Sequence, residues 1–288
     1  MSETLLYLAV VGLSEGMALW LVAAGLSLTF GVLRVVNFAH GSLYMLGAYL
    51  AFYFIHLCGG NYWIGFVLGP IVLAIVGFIM ERFFFRRIYR LDDSFQLLLT
   101  FAFVLIFDDL VKLIWGPVNQ SVPTPPILSG AIMVVGRPFP TFGFFIIAVG
   151  SAAGIALWYL TERTSWGALV QATATDREMA SVVGVNVPRL YTGVFMFGAW
   201  LAGLGGVLAV PMRSLAPGMG ESIIIEAFVV VVIGGLGSLR GAFIGAVLLG
   251  MFHAFGVTYL PIFELALAYV TMAIVLIIRP WGMFGVRE

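Results

Sequence analysis

Long apolar runs, separated by short polar stretches, make up most of this chain. A transmembrane helix needs about 20 consecutive apolar residues, and backbone groups that face lipid must be satisfied within their own segment. The pattern therefore predicts an all-α fold: one domain over residues 1–288, a polytopic transmembrane helix bundle with eight or nine crossings. Two runs are unusual, because 223–236 is short and Glu15 interrupts the first. The candidate spans are 5–33, 38–58, 61–80, 95–115, 141–160, 191–211, 223–236, 241–258 and 262–279.

Composition supports a membrane protein and excludes a water-soluble domain. Hydrophobic residues make up 62% of the chain and charged residues 10%, with a mean hydropathy of +1.10, whereas soluble domains carry about 25% charged residues. The formal net charge is zero, so nothing indicates nucleic acid as a partner. Cys58 is the only cysteine and allows no intrachain disulfide. The acidic start of the chain favours a spanning segment over a cleavable signal peptide.

Arginine placement predicts the orientation of the bundle, because loops rich in Arg and Lys stay in the cytoplasm. Residues 81–90 hold four arginines and the segment 161–190 holds three. With these inside, nine crossings place the N-terminus outside and the C-terminus in the cytoplasm. The predicted inner residues are Arg34, Arg82, Arg86, Arg87, Arg90, Arg163, Arg177, Arg189, Arg240, Arg279 and Arg287, and the outer ones are Lys112, Arg137 and Arg213.

Two loops are long enough to carry a function. The outer loop, residues 116–140, is rich in proline, which blocks both helix and ladder pairing, so we expect an ordered cap or a contact surface.

The inner segment, residues 161–190, contains helix formers up to Gly184, and Gly184 and Pro188 supply a stop. Four residues, most of them small, recur at every fourth position and so form a stripe on one helical face. Such a stripe fits either docking on another protein or an interfacial helix without a partner. The stripe consists of Ala172, Asp176, Ala180 and Gly184.

The sequence lacks the motifs of catalytic and metal sites. It contains no G-x-x-x-x-G-K-[ST] phosphate loop, no H-E-x-x-H and no spaced Cys/His cluster, so we expect no catalytic residue, no bound metal and no energy source in this chain. Intramembrane carboxylates are the usual functional candidates. Four of the five lie near predicted span ends, where a carboxylate reaches water at low cost. Glu15 could lie mid-membrane, but residues 16–33 alone make about 27 Å of helix, which favours the outer interface. No acidic relay is predicted among the five. They are Glu15, Asp108, Asp109, Glu226 and Glu264.

Two polar, glycine-bearing interruptions predict broken or re-entrant helices. They cover residues 34–43 and 234–241, and both contain Gly-Ser-Leu. Interrupted segments in matching halves of a transporter indicate a binding site, because unwound backbone and a helix N-terminus receive an anionic group. Ordinary tight turns are the alternative. The candidate translocation path consists of Asn37, His40, Gly41, Ser42, Gly234, Gly235, Gly237 and Ser238.

A third glycine pattern overlaps the second interruption. Gly237, Gly241 and Gly245 recur every four residues. This is the small-residue face that lets membrane helices approach closely, either within one subunit or between two.

The same residues resemble a known family. GLSLTFG at 25–31, VNFAHGSLYMLGAY at 36–49 and VVIGGLGSLRGA at 231–242 are similar to signatures of the branched-chain amino-acid ABC permeases of the LivH type. The likeness runs in order along essentially the whole chain. Ser42 departs from the family, since many relatives carry Glu at this position.

The resemblance implies partners that composition does not reveal. They are a second, LivM-like permease subunit, two cytoplasmic ATPase subunits that bind ATP and Mg²⁺, and an extracytoplasmic solute-binding protein, all acting at the bacterial inner membrane. The stripe from Ala172 to Gly184 resembles the loop on which the ATPase docks. The family implies transport of branched-chain amino acids, and it also includes permeases for urea and short amides.

Two other classes remain as alternatives. A secondary transporter or channel would work without an ATPase and would normally show a carboxylate deep in a span. An intramembrane enzyme would need Ser42 or Ser238 to pair with a base such as His40 or His253, and a serine beside a glycine turn is too common to indicate one.

Overall fold

The computed structural model describes residues 2–89, 91–259, 261 and 264–285. Within them the chain is helical apart from short connections and one two-stranded hairpin. A π-helical segment, Glu81–Phe85, joins α3 to α4, and a 3₁₀ turn lies at Pro126–Leu128. The elements are α1 (Ser2–Leu33), α2 (Ala39–Leu57), α3 (Tyr62–Met80), α4 (Arg86–Ile88), α5 (Asp93–Trp115), β1 (Ala131–Val134), β2 (Arg137–Pro140), α6 (Thr141–Arg163), α7 (Ser165–Thr175), α8 (Arg177–Val182), α9 (Val187–Ala209), α10 (Met219–Gly234), α11 (Leu239–Tyr259) and α12 (Glu264–Ile278).

The predicted all-α membrane bundle is confirmed, and most predicted spans coincide with a helix. Among the described residues, five helices are long and apolar enough to cross a membrane: Glu3–Leu33, Tyr62–Ile88, Thr141–Arg163, Val187–Ala209 and Leu239–Tyr259. Some boundaries were wrong. Glu15 lies inside an unbroken α1, α9 begins at Val187 rather than 191, and α10 begins four residues before the predicted 223. The number of crossings stays a prediction.

Helix α1 forms the centre of the bundle. It is about 48 Å long at 1.5 Å per residue, and its middle part from Leu21 to Ala24 is fully buried. On one side it packs against α11, where a Cβ on Gly16 would lie 2.8 Å from the Ala246 carbonyl oxygen. On another side it packs against α9, where a Cβ on Gly25 would lie 2.7 Å from the Gly198 carbonyl oxygen. Small residues therefore bring these three backbones together.

Helix α9 also packs closely against α2 and α3. A Cβ on Gly206 would lie 2.3 Å from the Tyr44 carbonyl oxygen of α2, and a Cβ on Gly77 of α3 would lie 2.7 Å from the Ala199 Cβ. Tyr62 at the start of α3 donates a hydrogen bond to the Val207 carbonyl at 3.3 Å. α1, α2, α3 and α9 thus form one continuous core.

Part of the small-residue face serves packing within the chain. A Cβ on Gly241 would lie 2.0 Å from the Gly234 carbonyl oxygen, and one on Gly245 would lie 2.6 Å from the Val230 carbonyl oxygen. Both glycines therefore let α11 approach α10. Gly237 does not belong to this face, because it precedes α11 with a φ of 81° and lies against Gly31 of α1.

The proline-rich loop forms a strand that its prolines were expected to prevent. β1 and β2 pair antiparallel, with Ala131 opposite Pro140 and Met133 opposite Pro138. The two prolines occupy alternate positions of an edge strand, where no ladder hydrogen bond is required of their nitrogen. Nearby, Gln120 pairs with Leu215 through backbone hydrogen bonds of 2.9 and 2.8 Å. This end of the bundle, which carries β1, β2 and the α9–α10 connection, is called the hairpin end below.

The arginine-rich stretch predicted as a loop is largely helical. The π-helical segment and α4 continue α3 as far as Ile88, and Glu81 and Phe85 are fully buried. Arg90 and Arg287, both predicted to be cytoplasmic, lie outside the described residues, so only part of the predicted arginine distribution has a described position.

A glycine substitution tests the packing of α9 against α2. We expect Gly206→Ala to lower the free energy of unfolding by about 1–3 kcal/mol, as overpacking does, because its Cβ would overlap the Tyr44 carbonyl. The matched control is Gly193→Ala on the same helix, where a Cβ meets only Trp166 Nε1 at 3.9 Å. That change should be neutral or stabilising by up to about 1 kcal/mol. Thermal unfolding in detergent measures both, and equal stability of the two variants would contradict the packing.

Candidate functional site

The first predicted interruption is shorter than expected. Residues 34–38 are not helical, and α2 begins at Ala39, so Gly41 and Ser42 lie within the helix rather than in unwound backbone. Asn37 and His40 are almost completely buried, and His40 Nε2 lies 3.0 Å from the Val22 carbonyl oxygen of α1. The helix break therefore leaves two buried polar side chains around the start of α2, and one of them, His40, lies against the middle of α1.

The second interruption is a tight connection of four residues between α10 and α11. Gly235 and Gly237 have φ of 104° and 81°, which only glycine adopts without strain. Ser238 Oγ accepts a hydrogen bond from the Gly241 N–H at 3.1 Å, so it caps the start of α11. The Phe284 N–H donates to the Gly234 carbonyl at 2.9 Å. The conformation of this segment thus follows from packing and capping.

The structure does not bring the two interruptions together. Gly41 contacts the start of α10, where its Cβ would lie 2.1 Å from the Gly220 carbonyl oxygen. Gly234 lies at the other end of α10, 14 residues further, or about 21 Å along the helix axis. Gly237 and Ser238 instead line an open cleft of about 920 Å³ between α1, α6, α7 and α11, together with Gln171 of α7. A single translocation path lined by all eight residues stays a prediction. In this structure such a path would have to run between two separate groups of these residues, one at each end of α10.

A cavity of about 220 Å³ opens at the hairpin end. Its walls come from α1, α2, α6, α9, the α9–α10 connection, α10, α11 and α12. Its volume lies below the roughly 300–1,000 Å³ of pockets for drug-sized ligands, so it suits a small solute. The lining residues are Ser14, Glu15, Ala18, Leu19, Tyr44, Ile146, Leu208, Ala209, Met212, Arg213, Ile223, Ile225, Glu226, Val229, Leu249, Gly250, Phe252, His253 and Tyr269.

Charged groups from four parts of the chain converge on this cavity. Glu15 of α1 lies 3.7 Å from His253 Nδ1 of α11. Arg213 of the α9–α10 connection and Glu226 of α10 both act electrostatically on the Tyr44 hydroxyl of α2. Sequence reasoning considered Glu15 and Glu226 only as separate interfacial carboxylates, and it used Arg213 only to count charges. Nothing in the sequence pattern shows which helices are neighbours, so this convergence was missed.

The other predicted interfacial carboxylates have different surroundings. Asp108 forms a salt bridge with Lys112, and Asp109 is largely exposed, with its Oδ1 3.5 Å from Lys112 Nζ. The side chain of Glu264 lies outside the described part of the chain. Of the five predicted interfacial carboxylates, only Glu15 and Glu226 line a described cavity.

The inner segment is broken into two short helices rather than forming one. α7 ends at Thr175, and Asp176 leaves the helical conformation with φ −145° and ψ 103°. Its Oδ1 accepts a hydrogen bond from the Met179 N–H at 2.9 Å and so caps α8. The expected continuous stripe is therefore wrong: Ala180 is buried, whereas Ala172, Asp176 and Gly184 are exposed.

Of the two residues that were predicted to stop the inner helix, one does so and the other does not. Gly184, with a φ of 92°, follows the end of α8. Pro188, however, lies in the first turn of α9, where a proline is favourable. The Asn186 side chain accepts a hydrogen bond from the Arg189 N–H at 3.2 Å and caps the same helix. Pro188 therefore belongs to a helix start, not to a helix stop.

Sequence reasoning also missed a buried ion-pair cluster where the π-helical segment meets α9. Glu81 is fully buried and accepts a hydrogen bond from Thr192 Oγ1 at 2.5 Å. Arg86 Nε lies 3.6 Å from the same carboxylate, and its Nη2 donates to the Pro188 carbonyl at 2.7 Å. Burial, reinforced by the Glu81 charge, raises the pKa of Tyr89, and the Tyr89 hydroxyl donates a hydrogen bond to Glu81 Oε1 at 3.5 Å. One feature of the sequence could have indicated this cluster: Glu81 directly follows an apolar run and precedes four arginines within residues 82–90.

Removing the arginine of this cluster tests its structural importance. We expect Arg86→Leu to destabilise the protein by about 3–5 kcal/mol, because it leaves the buried Glu81 charge without its ion partner. Arg87→Leu is the matched control, since Arg87 is exposed and its loss should change stability by no more than about 0.5 kcal/mol. Yield of folded protein and thermal unfolding in detergent provide the measurement. A stable Arg86→Leu variant would show that the cluster contributes little.

Comparisons with known sequences identify the family of this chain. Residues 8–279 match the family model described as branched-chain amino acid transport system / permease component. The chain is 29% identical to the high-affinity branched-chain amino acid transport system permease protein LivH of Escherichia coli, over 100% of this chain and 99% of that protein. It is 28% identical to BraD of Pseudomonas aeruginosa, which is also named as a high-affinity branched-chain amino acid permease, over 96% and 94% of the two chains. A chain in the structure of PsaBC from Streptococcus pneumoniae in complex with Fab is 14% identical, with a TM-score of 0.49 over 93% of this chain and 89% of that one. Because the family match extends over nearly the whole bundle, this chain belongs to the permease components of the branched-chain amino acid transport systems.

Proposed function

We propose that this chain is the membrane-spanning permease subunit of an ABC importer that carries branched-chain amino acids across the bacterial inner membrane. One observation carries the proposal: the similarity to the LivH proteins extends over 100% of this chain and 99% of theirs. Because no part of the bundle is left out of the match, the likeness concerns the whole permease rather than one packing motif. Transport by the chain itself then needs no catalytic residue, and partner ATPase subunits bind ATP and Mg²⁺.

The α7–α8 segment is the proposed docking site for a cytoplasmic ATPase. α8 and the residue that follows it present apolar side chains to the surroundings, with Met179, Val182 and Val183 exposed by 59%, 81% and 72%. They lie beside charged Arg177 and Glu178 on a helix of six residues, which is too short to span a bilayer. An exposed apolar patch with a polar rim is typical of a protein contact. This proposal keeps Ala172, Asp176, Ala180 and Gly184 in the docking region but assigns the contact itself to the exposed residues of α8.

Both ends of this segment are attached to the bundle. Arg34 at the end of α1 donates a hydrogen bond to the Ala174 carbonyl of α7 at 3.4 Å. After α8, the chain enters α9, whose first turns are held to the π-helical segment by Glu81, Arg86 and Thr192. A push on α8 would therefore reach α1 at one end and α3 and α9 at the other. We propose that ATP-driven closure of an ATPase pair moves these helices as rigid bodies and alternates access to the solute path.

The remaining partners and the orientation follow from the same proposal. The α7–α8 end faces the cytoplasm, and so does the C-terminal segment, because Met283 and Phe284 hydrogen-bond to the last residues of α10. The hairpin end faces outward and receives a solute-binding protein. A second permease subunit of the LivM type completes the membrane part of the importer.

Uptake by the reconstituted importer tests the proposed function. In proteoliposomes that contain this chain and its partner subunits, radiolabelled leucine should accumulate only with both ATP and loaded binding protein. A Walker-lysine variant of the ATPase subunits is the control and should abolish uptake. Accumulation by this chain alone without ATP would replace the proposal with a secondary transporter or channel. Uptake of urea or a short amide instead of leucine would keep the importer but change its solute.

Substitution of Asp176 tests the docking segment. We expect Asp176→Arg to abolish ATP-driven uptake while the protein stays in the membrane, because it removes the cap of α8 and reverses a surface charge. Asp176→Asn is the matched control, since Asn caps a helix about as well as Asp, and it should keep most of the activity. The readouts are leucine uptake and co-purification of the ATPase. Full uptake by Asp176→Arg with the ATPase still bound would contradict the docking role.

A further inference from the structure

The open cleft between α1, α6, α7 and α11, called the lateral cleft below, has an apolar interior. Its volume is about 920 Å³. Three of its walls, α1, α6 and α11, are helices long and apolar enough to cross a membrane, so the cleft opens at membrane depth. A polar solute would gain little from these walls. The apolar lining residues include Trp20, Leu28, Val32, Ile155, Leu157, Trp158, Val170, Phe243 and Ile244.

The end of the lateral cleft that lies beside α7 is charged. Arg240 in the first turn of α11 and Glu162 near the end of α6 both line it and form an exposed salt bridge. Arg163 adds a second cation, because its guanidinium lies 5.5 Å from the centre of the Trp158 ring in the lining. Among these described residues of the rim, positive charges exceed negative ones, so an anionic group would be attracted there.

The interior of the lateral cleft holds a buried donor whose hydrogen bond the chain does not make. Trp20 is 2% exposed, and its Nε1 has no hydrogen-bond partner among the described residues. A Cβ on Gly154 of α6 would lie 3.6 Å from this nitrogen, and both residues belong to the lining. A buried N–H without an acceptor costs free energy, and a ligand that carries an acceptor into the cleft would remove that cost.

We propose that the lateral cleft binds a phospholipid with an anionic headgroup, with the phosphate at Arg240 and Arg163 and an acyl chain against α1 and α6. Such a lipid combines the three properties that the cleft requires. It has a long apolar part, ester carbonyls that accept hydrogen bonds, and a negative charge next to them. The inference goes beyond the proposed function and does not depend on the solute, the ATPase or the binding protein, because it concerns only this chain and the bilayer.

The depths of the lining groups match the order of groups in a phospholipid. Trp20 packs edge-on against Phe243, with ring centroids 5.4 Å apart. Phe243 lies three residues after Arg240, which is about 4.5 Å along α11. In a phospholipid the glycerol unit separates the phosphate from the acyl esters. An ester carbonyl would therefore reach the level of the Trp20 indole when the phosphate lies at Arg240, and the acyl chain would continue along α6 towards Ser151.

Titration of the purified full-length chain with lipid tests the site. Native mass spectrometry from detergent measures the bound fraction of phosphatidylglycerol, and phosphatidylcholine with the same acyl chains is the comparison. We expect the wild type to bind phosphatidylglycerol saturably and about fivefold more tightly than phosphatidylcholine, since one basic residue contributes roughly that factor at an anionic surface.

Substitutions in the interior test where the acyl chain lies. Gly154→Leu should weaken binding at least tenfold, because its side chain would occupy the cleft, while its Cβ would meet no atom closer than 3.6 Å. Ala152→Leu is the matched control on the same helix, exposed and outside the lining, and it should bind like the wild type. Trp20→Phe should weaken binding about two- to tenfold, since it removes one hydrogen-bond donor and keeps a ring against Phe243.

Substitutions at the rim should change the affinity in opposite directions. Arg240→Gln should lower the affinity for phosphatidylglycerol about fivefold and that for phosphatidylcholine less. Glu162→Gln should raise the affinity for phosphatidylglycerol, because it removes the carboxylate that competes for Arg240. Arg137→Gln on β2 is the control for loss of an exposed arginine outside the cleft. A loss of folding does not produce the gain expected of Glu162→Gln.

Three results would overturn the assignment. One is equal affinity of the wild type for the two lipids. Another is unchanged phosphatidylglycerol binding in Gly154→Leu and Arg240→Gln. The third is loss of a co-purifying permease subunit from Gly154→Leu while lipid binding is retained, because the lateral cleft would then be an interface between subunits.

Discussion

The close approach of helix backbones at small residues is the constraint on which this structure depends. Lipid tails are as apolar as the helices, so the hydrophobic effect does not drive helices together inside a bilayer, and packing must do so. α1 meets α11 at Gly16 and α9 at Gly25, with distances that leave no room for a Cβ. Since α1 is the common partner of both helices, these contacts fix where the remaining elements can lie.

A rigid centre determines which parts can transmit movement. α1 is unbroken over 32 residues and buried through its middle, so a push from outside must shift whole helices. The attachments at the α7–α8 end are polar and local: Arg34 to the Ala174 carbonyl, and Glu81 to Thr192. The second is buried, where a charged hydrogen bond contributes about 1.5–3 kcal/mol. It therefore couples α9 to the π-helical segment more firmly than an exposed contact would.

The sequence predicted the fold class well because the signal for a spanning helix is local. An apolar run such as 61–80 identifies α3 without any knowledge of its neighbours. Boundaries were less predictable where another signal competed with hydropathy. Pro188 was expected to end a helix but starts one, and Pro138 was expected to prevent a strand but occupies an edge position in β2. In both cases the same residue is compatible with two local structures, and tertiary contacts select between them.

The candidate site was much less predictable, for a physical reason. Glu15 and His253 are separated by more than 200 residues, and only the pairing of α1 with α11 brings them within 3.7 Å. No period or motif records that pairing. The sequence did indicate the polar interruption at residues 34–43, because a break in an apolar run is visible locally.

The first interruption and the cavity turn out to be parts of one region. Tyr44 lines the cavity, and His40 lies one helical turn before it on the same face of α2. The helix break at residues 34–38 places the N-terminal end of α2, with buried His40, close to the middle of α1. The second interruption lies about 21 Å away along α10, beside α7, where it can respond to the segment that we propose as the ATPase contact. Entry and coupling thus occupy opposite ends of α10, and movement of that helix against α1 would connect them.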